Sequence, residues 1–271
     1  MPETPYSGTG ERLDAALVRR GLARSRALAV AAIAEGRVRI DGAPATKPAS
    51  RVAPDAVLTV EGDERWVSRS AGKLDAALEA FAVDPAGRLV LDVGASTGGF
   101  TQVLLERGAR EVIALDVGHG QLVPGLRADP RVRVVEGVNA RELDPGLLAS
   151  VSGTDERPDL VVADLSFIPL GLVLPALAAT ASEGADLVLL VKPQFEVGRT
   201  GVREGIVRDR HARHDALGGV LWAAWDLGLG TAGVISSPVV GTAGNQEYLV
   251  WLSAVVGGNP TEWGGAIDAL P

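Results

Sequence analysis

From residue 70 to residue 256 short apolar runs alternate with stretches of helical periodicity. Leu89–Asp92, Glu111–Asp116, Val132–Val135, Leu160–Ala163, Leu187–Val191, Ala232–Ser236 and Glu247–Trp251 are rich in Val, Leu and Ile. Several are apolar at nearly every position instead of at alternate ones, which predicts strands buried on both faces, as in a parallel sheet covered by helices. Helical patterns fill most of the intervals, and Ser70–Phe81 leads in with one. The last two runs are separated by a Gly- and Pro-rich loop without a helix, so they are expected to pair as an antiparallel hairpin at one end of the sheet.

A different pattern precedes this region. Leu13, Leu17 and Val18 share a helical face that stops at Gly21; Ser25 opens a second helix carrying Leu28, Ala29, Ala32 and Ile33, which Gly36 ends. Val38-Arg39-Ile40 is a short strand, Asp41-Gly42 a turn and Val57–Val60 a second strand. The fold class that follows is α/β, a seven-stranded Rossmann-like sheet behind a small N-terminal α+β domain. The expected organisation is a disordered lead over 1–10, a small domain over 11–64, a linker over 65–69, the α/β domain over 70–256 and a flexible Gly-rich tail over 257–271.

The most specific chemistry lies in Leu89–Phe100, LVLDVGASTGGF. An apolar strand, a turn with Gly94, Gly98 and Gly99, and a helix start bring backbone N–H groups against a ligand, because glycine permits close approach. No Lys-Ser or Lys-Thr pair follows Gly98, so this is not a polyphosphate loop. Asp92, two residues ahead of the first glycine, would repel a pyrophosphate, while Asp116 at the end of the next strand can accept both hydroxyls of a ribose. The combination favours a nucleoside with a positively charged end. Gly94-Ala95-Ser96-Thr97-Gly98 also fits the nucleophile elbow of hydrolases, with His211 or His214 as base. Against that reading, no Gly-rich oxyanion segment lies upstream and both histidines fall in a polar helix start, Arg208–Asp215.

Composition narrows the setting. The chain has 271 residues, no cysteine and three scattered histidines, so no thiolate or convincing metal set is expected. The lead MPETPYSGTG has no basic and apolar segments of a signal peptide, and the longest uncharged run, Leu165–Ser182, contains Pro169 and Pro175. A cytoplasmic protein with no membrane partner is expected. Charge is uneven: between Arg12 and Arg51 stand Arg12, Arg19, Arg20, Arg24, Arg26, Arg37, Arg39, Lys47 and Arg51 against Asp14, Glu35 and Asp41. That surplus of six positive charges, in a chain of net −8, leaves −14 on the rest. Phosphates respond to local potential, so the basic segment is a candidate RNA surface, and all but Arg51 of these cations are taken as its contacts.

Charged groups recur at the carboxyl ends of the apolar strands, where ligands of parallel sheets sit. Asp164 ends VVAD, Lys192 ends LVLLVK, Glu247 opens the last strand, and Lys73 lies on the helix before the glycine-loop strand. Two lysines flanked by two carboxylates suit removal of a proton from a poor nucleophile, provided one amine becomes uncharged.

The glycine loop is similar to the S-adenosylmethionine site of class I methyltransferases, with Ser96 in place of the central glycine. Residues 12–52 resemble the RNA-binding module of a small-subunit ribosomal protein, also found in pseudouridine synthases. Together, from about Arg12 to Leu252, the chain resembles the TlyA family, FtsJ-like ribosomal RNA 2′-O-methyltransferases once described as hemolysins. The resemblance implies S-adenosylmethionine as cofactor, ribosomal RNA or ribosomal subunits as partner, a cytidine ribose as acceptor, and a Lys73, Asp164, Lys192 and Glu247 tetrad. In that tetrad Lys192 is the general base, Asp164 orients it, and Lys73 and Glu247 position the ribose. For the cofactor it implies Gly94, Ser96 and Gly98 along the methionine end, Asp92 near the ammonium, Asp116 on the ribose, and Asn139 and Arg141 near the adenine. Phe167 is read first as a core residue and second as a base-stacking one. Two other functions fit less well: a non-catalytic RNA-binding or ribosome-assembly factor, and a membrane-active hemolysin.

Overall fold

The computed structural model describes residues 10–23, 25–34, 36–60, 66–198, 205–241 and 244–271. The chain divides into two compact units, Met1–Arg69 and Ser70–Pro271. Most of the expected N-terminal lead lies outside the described residues.

In the first unit β1 (Glu11–Arg12) runs into α1 (Leu13–Arg19), followed by α2 (Arg26–Ala34), β2 (Val38–Ile40), β3 (Ala43–Pro44), β4 (Arg51–Val52) and β5 (Leu58–Val60). β2 lies between β3 and β5, antiparallel to both, and β1 pairs with β4. The hairpin at Asp41 (φ +51) and Gly42 (φ +81) is left-handed at both central residues, the geometry that matches strand twist and that Asp-Gly tolerates. Leu13, Leu17, Ala29, Ile33, Val38, Val52 and Leu58 form its core. The strand expected from Val57 starts one residue later, because Val57 faces solvent.

The second unit runs α3 (Ser70–Phe81), β6 (Leu89–Val93), α4 (Gly99–Glu106), β7 (Glu111–Asp116), α5 (Pro124–Arg127), β8 (Val132–Glu136), α6 (Pro145–Ser152), β9 (Leu160–Ala163), α7 (Leu174–Thr180), β10 (Asp186–Val191), α8 (Pro193–Glu196), α9 (Arg210–Trp225), β11 (Gly230–Ser236), β12 (Tyr248–Ser253) and α10 (Gly264–Ala269). Its seven-stranded sheet has the order β11-β12-β10-β9-β6-β7-β8. Every pair is parallel except those of β12, which is antiparallel to β10 and β11. β6 and β9 are buried at every position, which explains why their sequences do not alternate. Side chains of α6, α7 and α9 pack in one core with the strands, including Leu148, Leu174, Leu177, Leu217 and Leu221.

The reversal of β12 has a direct consequence for the site. Val191 pairs with Tyr248, so the beginning of β12 lies beside the end of β10. Glu247 therefore reaches the same edge as the residues that follow β6, β7, β9 and β10.

The segment after Val256, expected to be flexible, is instead built into the second unit. Its glycines serve close approach: a Cβ on Gly257 would lie 2.2 Å from the Gly230 carbonyl oxygen, and Thr231 and Gly258 exchange backbone bonds of 2.9 and 2.8 Å. Asn259 and Glu262 then form a capping box, Trp263 Nε1 donates to the Thr231 carbonyl at 3.0 Å, and α10 places Ile267 in the main core.

Candidate active site

The glycine loop leaves β6 against the neighbouring strand. Gly94 has φ +84, and a Cβ there would sit 2.7 Å from the Asp164 carbonyl oxygen, so only glycine lets the β6 and β9 exits pass at this distance. Ser96, at φ +47, donates its backbone N–H to Asp116 Oδ2 (2.8 Å), while Gly118 N–H donates to Oδ1 (2.7 Å). These two bonds fix the Asp116 carboxylate and leave its other lone pairs free to accept. A cleft of about 560 Å³ opens beside it, lined among others by Gly94, Ser96, Asp116, Gln121, Asn139 and Asp164. Gln121 was not anticipated from sequence; its Oε1 accepts from the Ser96 hydroxyl at 3.1 Å.

Three residues expected at the cofactor are not part of the cleft lining. Asp92 is fully buried below the loop, where its Oδ2 accepts from the Thr101 hydroxyl at 2.6 Å. Burial pushes its carboxyl up to about 7, with Asp164 and Asp116 adding to the rise. Gly98 (φ +100) is the N-cap of α4, and a Cβ there would strike the Leu122 and Leu126 side chains, so it serves helix packing. Arg141 is exposed and away from the cleft lining; Asn139 lines it and accepts from Arg141 N–H at 3.1 Å.

The hydrolase reading fails on geometry. The Ser96 hydroxyl is held by Gln121, and His214, on the first turns of α9, packs edge-on against Tyr248 with ring centroids 6.4 Å apart. Among the described residues no cluster of His, Cys, Asp and Glu could hold a metal ion.

The four charged residues singled out at strand ends form two close pairs. Lys73, on the first turn of α3, lies 2.6 Å from Glu247, with side-chain exposures of 9% and 3%. Lys192, directly after β10, lies 2.6 Å from Asp164 and donates to the Ser166 hydroxyl at 2.8 Å. Gln194, two residues beyond Lys192, donates from Nε2 to Glu247 Oε1 at 3.5 Å. Gly241 makes room for that carboxylate, since a Cβ there would lie 2.6 Å from Glu247 Oε1. Glu196, at the end of α8, accepts from Leu170 N–H at 2.7 Å and thereby ties α8 to the loop after β9; burial raises its carboxyl. Ser166, Gln194 and Glu196 carry no periodic or charge-run signal; only their nearness to Asp164 and Lys192 in sequence could have marked them.

Phe167 is not a core residue. It is 91% exposed, at φ +66, on the lining of the cleft, with its ring 5.3 Å from that of Phe195 and tilted by 47°. The left-handed backbone turns the ring outward.

In the first unit several of the cations taken as RNA contacts hold the fold together. Asp14 is nearly enclosed and accepts from Arg12 Nη2 and Arg26 Nη2, both at 2.9 Å, and the two guanidiniums hold its carboxyl well below the ordinary range. Arg20 donates to the carbonyls of Ala53 (3.0 Å), Pro54 (3.1 Å) and Ala56, closing the loop before β5. Arg37 is buried. Arg24 lies outside the described residues. Arg19, which pairs with Glu11 at 2.7 Å, and Lys47 and Arg51 are exposed, and Arg39 is half-buried.

Known proteins match both units. Residues 66–254 match the FtsJ-like methyltransferase family and residues 11–58 the S4 domain. The 16S/23S rRNA (cytidine-2′-O)-methyltransferase TlyA of Mycobacterium tuberculosis is 55% identical over 244 residues, 89% of each chain. Hemolysin A of Brachyspira hyodysenteriae is 36% identical over 239 residues, 88% of this chain and 98% of that one. A solved structure described as a candidate hemolysin, from Streptococcus thermophilus, superposes with a TM-score of 0.74 at 37% identity, covering 96% of this chain and 94% of the other. Similarity of this extent, spanning both units and the loops that carry the paired charges, establishes that the chain belongs to the TlyA family of FtsJ-like ribosomal RNA methyltransferases with an N-terminal S4 domain.

Proposed function

We propose that the chain transfers a methyl group from S-adenosylmethionine to the 2′-hydroxyl of a cytidine in ribosomal RNA, with Lys192 as general base. The observation that carries this reading is the meeting of two lysine–carboxylate pairs at one edge of the sheet, beside a cleft that ends on Asp116. The cleft's volume of about 560 Å³ falls within the range of about 300–1,000 Å³ usual for small-molecule sites. Its donor set fits the cofactor: Asp116, oriented by two backbone N–H groups, can accept the ribose hydroxyls, and the Gly94 turn admits a ligand close to the backbone. S-adenosylmethionine supplies an electrophilic methyl group.

The residues of the chain do the rest. A ribose hydroxyl becomes a competent nucleophile as its proton leaves, and Lys192 Nζ takes that proton once the amine is uncharged. Asp164 and Ser166 fix the direction of Nζ, at 2.6 and 2.8 Å. Lys73 and Glu247 hold the sugar, and the exposed Phe167 ring stacks on its base. Alignment of the reacting atoms accounts for much of the acceleration, since well-oriented partners gain about 7–11 kcal/mol over free encounter. Arg19, Arg39, Lys47 and Arg51 of the S4 domain supply phosphate contacts.

The test uses purified full-length protein, isolated ribosomal subunits and labelled cofactor, with ribose methylation mapped by mass spectrometry. Wild type is expected to modify a cytidine 2′-oxygen, and Lys192→Ala to bind cofactor normally while losing transfer. Near-normal transfer by Lys192→Ala refutes the base assignment; RNA binding with no transfer by wild type favours an assembly factor.

A further inference from the structure

Gln194 follows Lys192 by two residues and reaches Glu247 of the other pair, and its amide is half satisfied. Nε2 is directed at Glu247 Oε1, 3.5 Å away, whereas Oε1 is buried with no donor among the described residues. The orientation is dictated locally. Turning the amide would set its carbonyl against the Glu247 carboxylate, acceptor facing acceptor. Buried acceptors in folded proteins nearly always find a donor, so an orphan beside reactive groups points to a partner from outside the chain. Lys73 and Lys192, each 2.6 Å from a carboxylate, make no hydrogen bond to this oxygen.

We propose that Gln194 is a substrate-binding residue whose side-chain carbonyl accepts a hydrogen bond from the ribose 2′-hydroxyl about to be methylated. The inference rests on the ribose reading above. Within an RNA strand the 3′ and 5′ oxygens are esterified, so the 2′-hydroxyl is the sugar's own donor and the feature that separates RNA from DNA. Gln194 holds that hydrogen until Lys192, two residues earlier on the same strand exit, receives it as a proton. A bond through the hydrogen leaves an oxygen lone pair free to face the incoming methyl group.

The experiment compares three oligonucleotides spanning the target, with cytidine, 2′-deoxycytidine or uridine at the acceptor position, bound by full-length protein loaded with S-adenosylhomocysteine. Wild type is expected to prefer cytidine over 2′-deoxycytidine by about fivefold, the worth of one net hydrogen bond. Gln194→Met is expected to abolish that preference and, with cofactor affinity intact, to lower kcat by about 10²-fold through misplacement of the nucleophile. Gln194→Asn keeps the amide with one methylene less reach and is expected to retain part of the preference. Wild-type preference and rate in Gln194→Met overturn the proposal. So does a loss confined to discrimination between cytidine and uridine, which would assign the carbonyl to the base. Absence of methyl transfer by wild type refutes the functional reading instead, and is seen separately.

Discussion

Replacing Lys73 by Met tests what the buried pair contributes to the fold and to the reaction separately. At 2.6 Å and an effective dielectric of about 20, the attraction to Glu247 amounts to about 6 kcal/mol. Most of that is cancelled by removing both ions from water, with side chains 9% and 3% exposed. The pair as a whole is therefore worth little, but Lys73→Met leaves Glu247 buried without its cation, which costs about 3–5 kcal/mol. Adding Glu247→Gln removes the stranded charge, and the double variant is expected to recover most of the loss. Urea unfolding followed by tryptophan fluorescence reads the second unit, which holds Trp222, Trp225, Trp251 and Trp263. Methylation is expected to stay lost in the double variant, because the charges proposed to position the ribose are gone. A single variant within about 1 kcal/mol of wild type, or a double variant less stable than the single, would refute the argument.

Three further outcomes follow from particular contacts. Asp92, pushed up to about 7 from 3.8 by burial, binds a proton in the folded chain between these values while the unfolded chain does not, so stability falls as pH rises through that window. Asp92→Asn is expected to flatten this slope, a difference on the order of 2–4 kcal/mol between about pH 5 and about pH 8 in thermal unfolding; parallel profiles would contradict the burial argument. Phe167→Ala removes an exposed ring, so its stability should stay within about 0.5 kcal/mol while the KM for RNA rises by about 5- to 100-fold, the worth of one stacked base; unchanged steady-state kinetics would remove Phe167 from the substrate site. In the first unit Arg20→Ala is expected to destabilise the S4 fold by uncapping the carbonyls of Ala53, Pro54 and Ala56, whereas Lys47→Ala should leave melting unchanged and lower the salt dependence of RNA binding by about one charge; reversed roles would show that the described contacts are not the ones that matter.

Much of this architecture is legible in the sequence because burial leaves a signature there. The strands at Leu160–Ala163 and Glu111–Asp116 begin and end at the expected residues, since apolar runs bounded by charges have few other solutions. The strand-end lysines and carboxylates are legible for the same reason: a charge that ends an apolar run lies at an edge. What escaped depends on partners remote in sequence. Arg20 and Arg37 read as surface cations, yet one reaches carbonyls more than thirty residues away and the other is enclosed. The glycines near 257 read as looseness because composition does not reveal that Gly230 passes within contact of them. Phe167 read as core because hydrophobicity says nothing of a left-handed backbone that turns a ring into solvent.

The reversed final strand also bears on the order in which the molecule is made. β12 inserts between β10 and β11, both translated before it, so β11 has no neighbour in the sheet while the nascent chain still lacks its last strand. Glu247 arrives with that strand. A growing polypeptide thus acquires Glu247, the buried partner of Lys73, only after β10 and β11 have both been made.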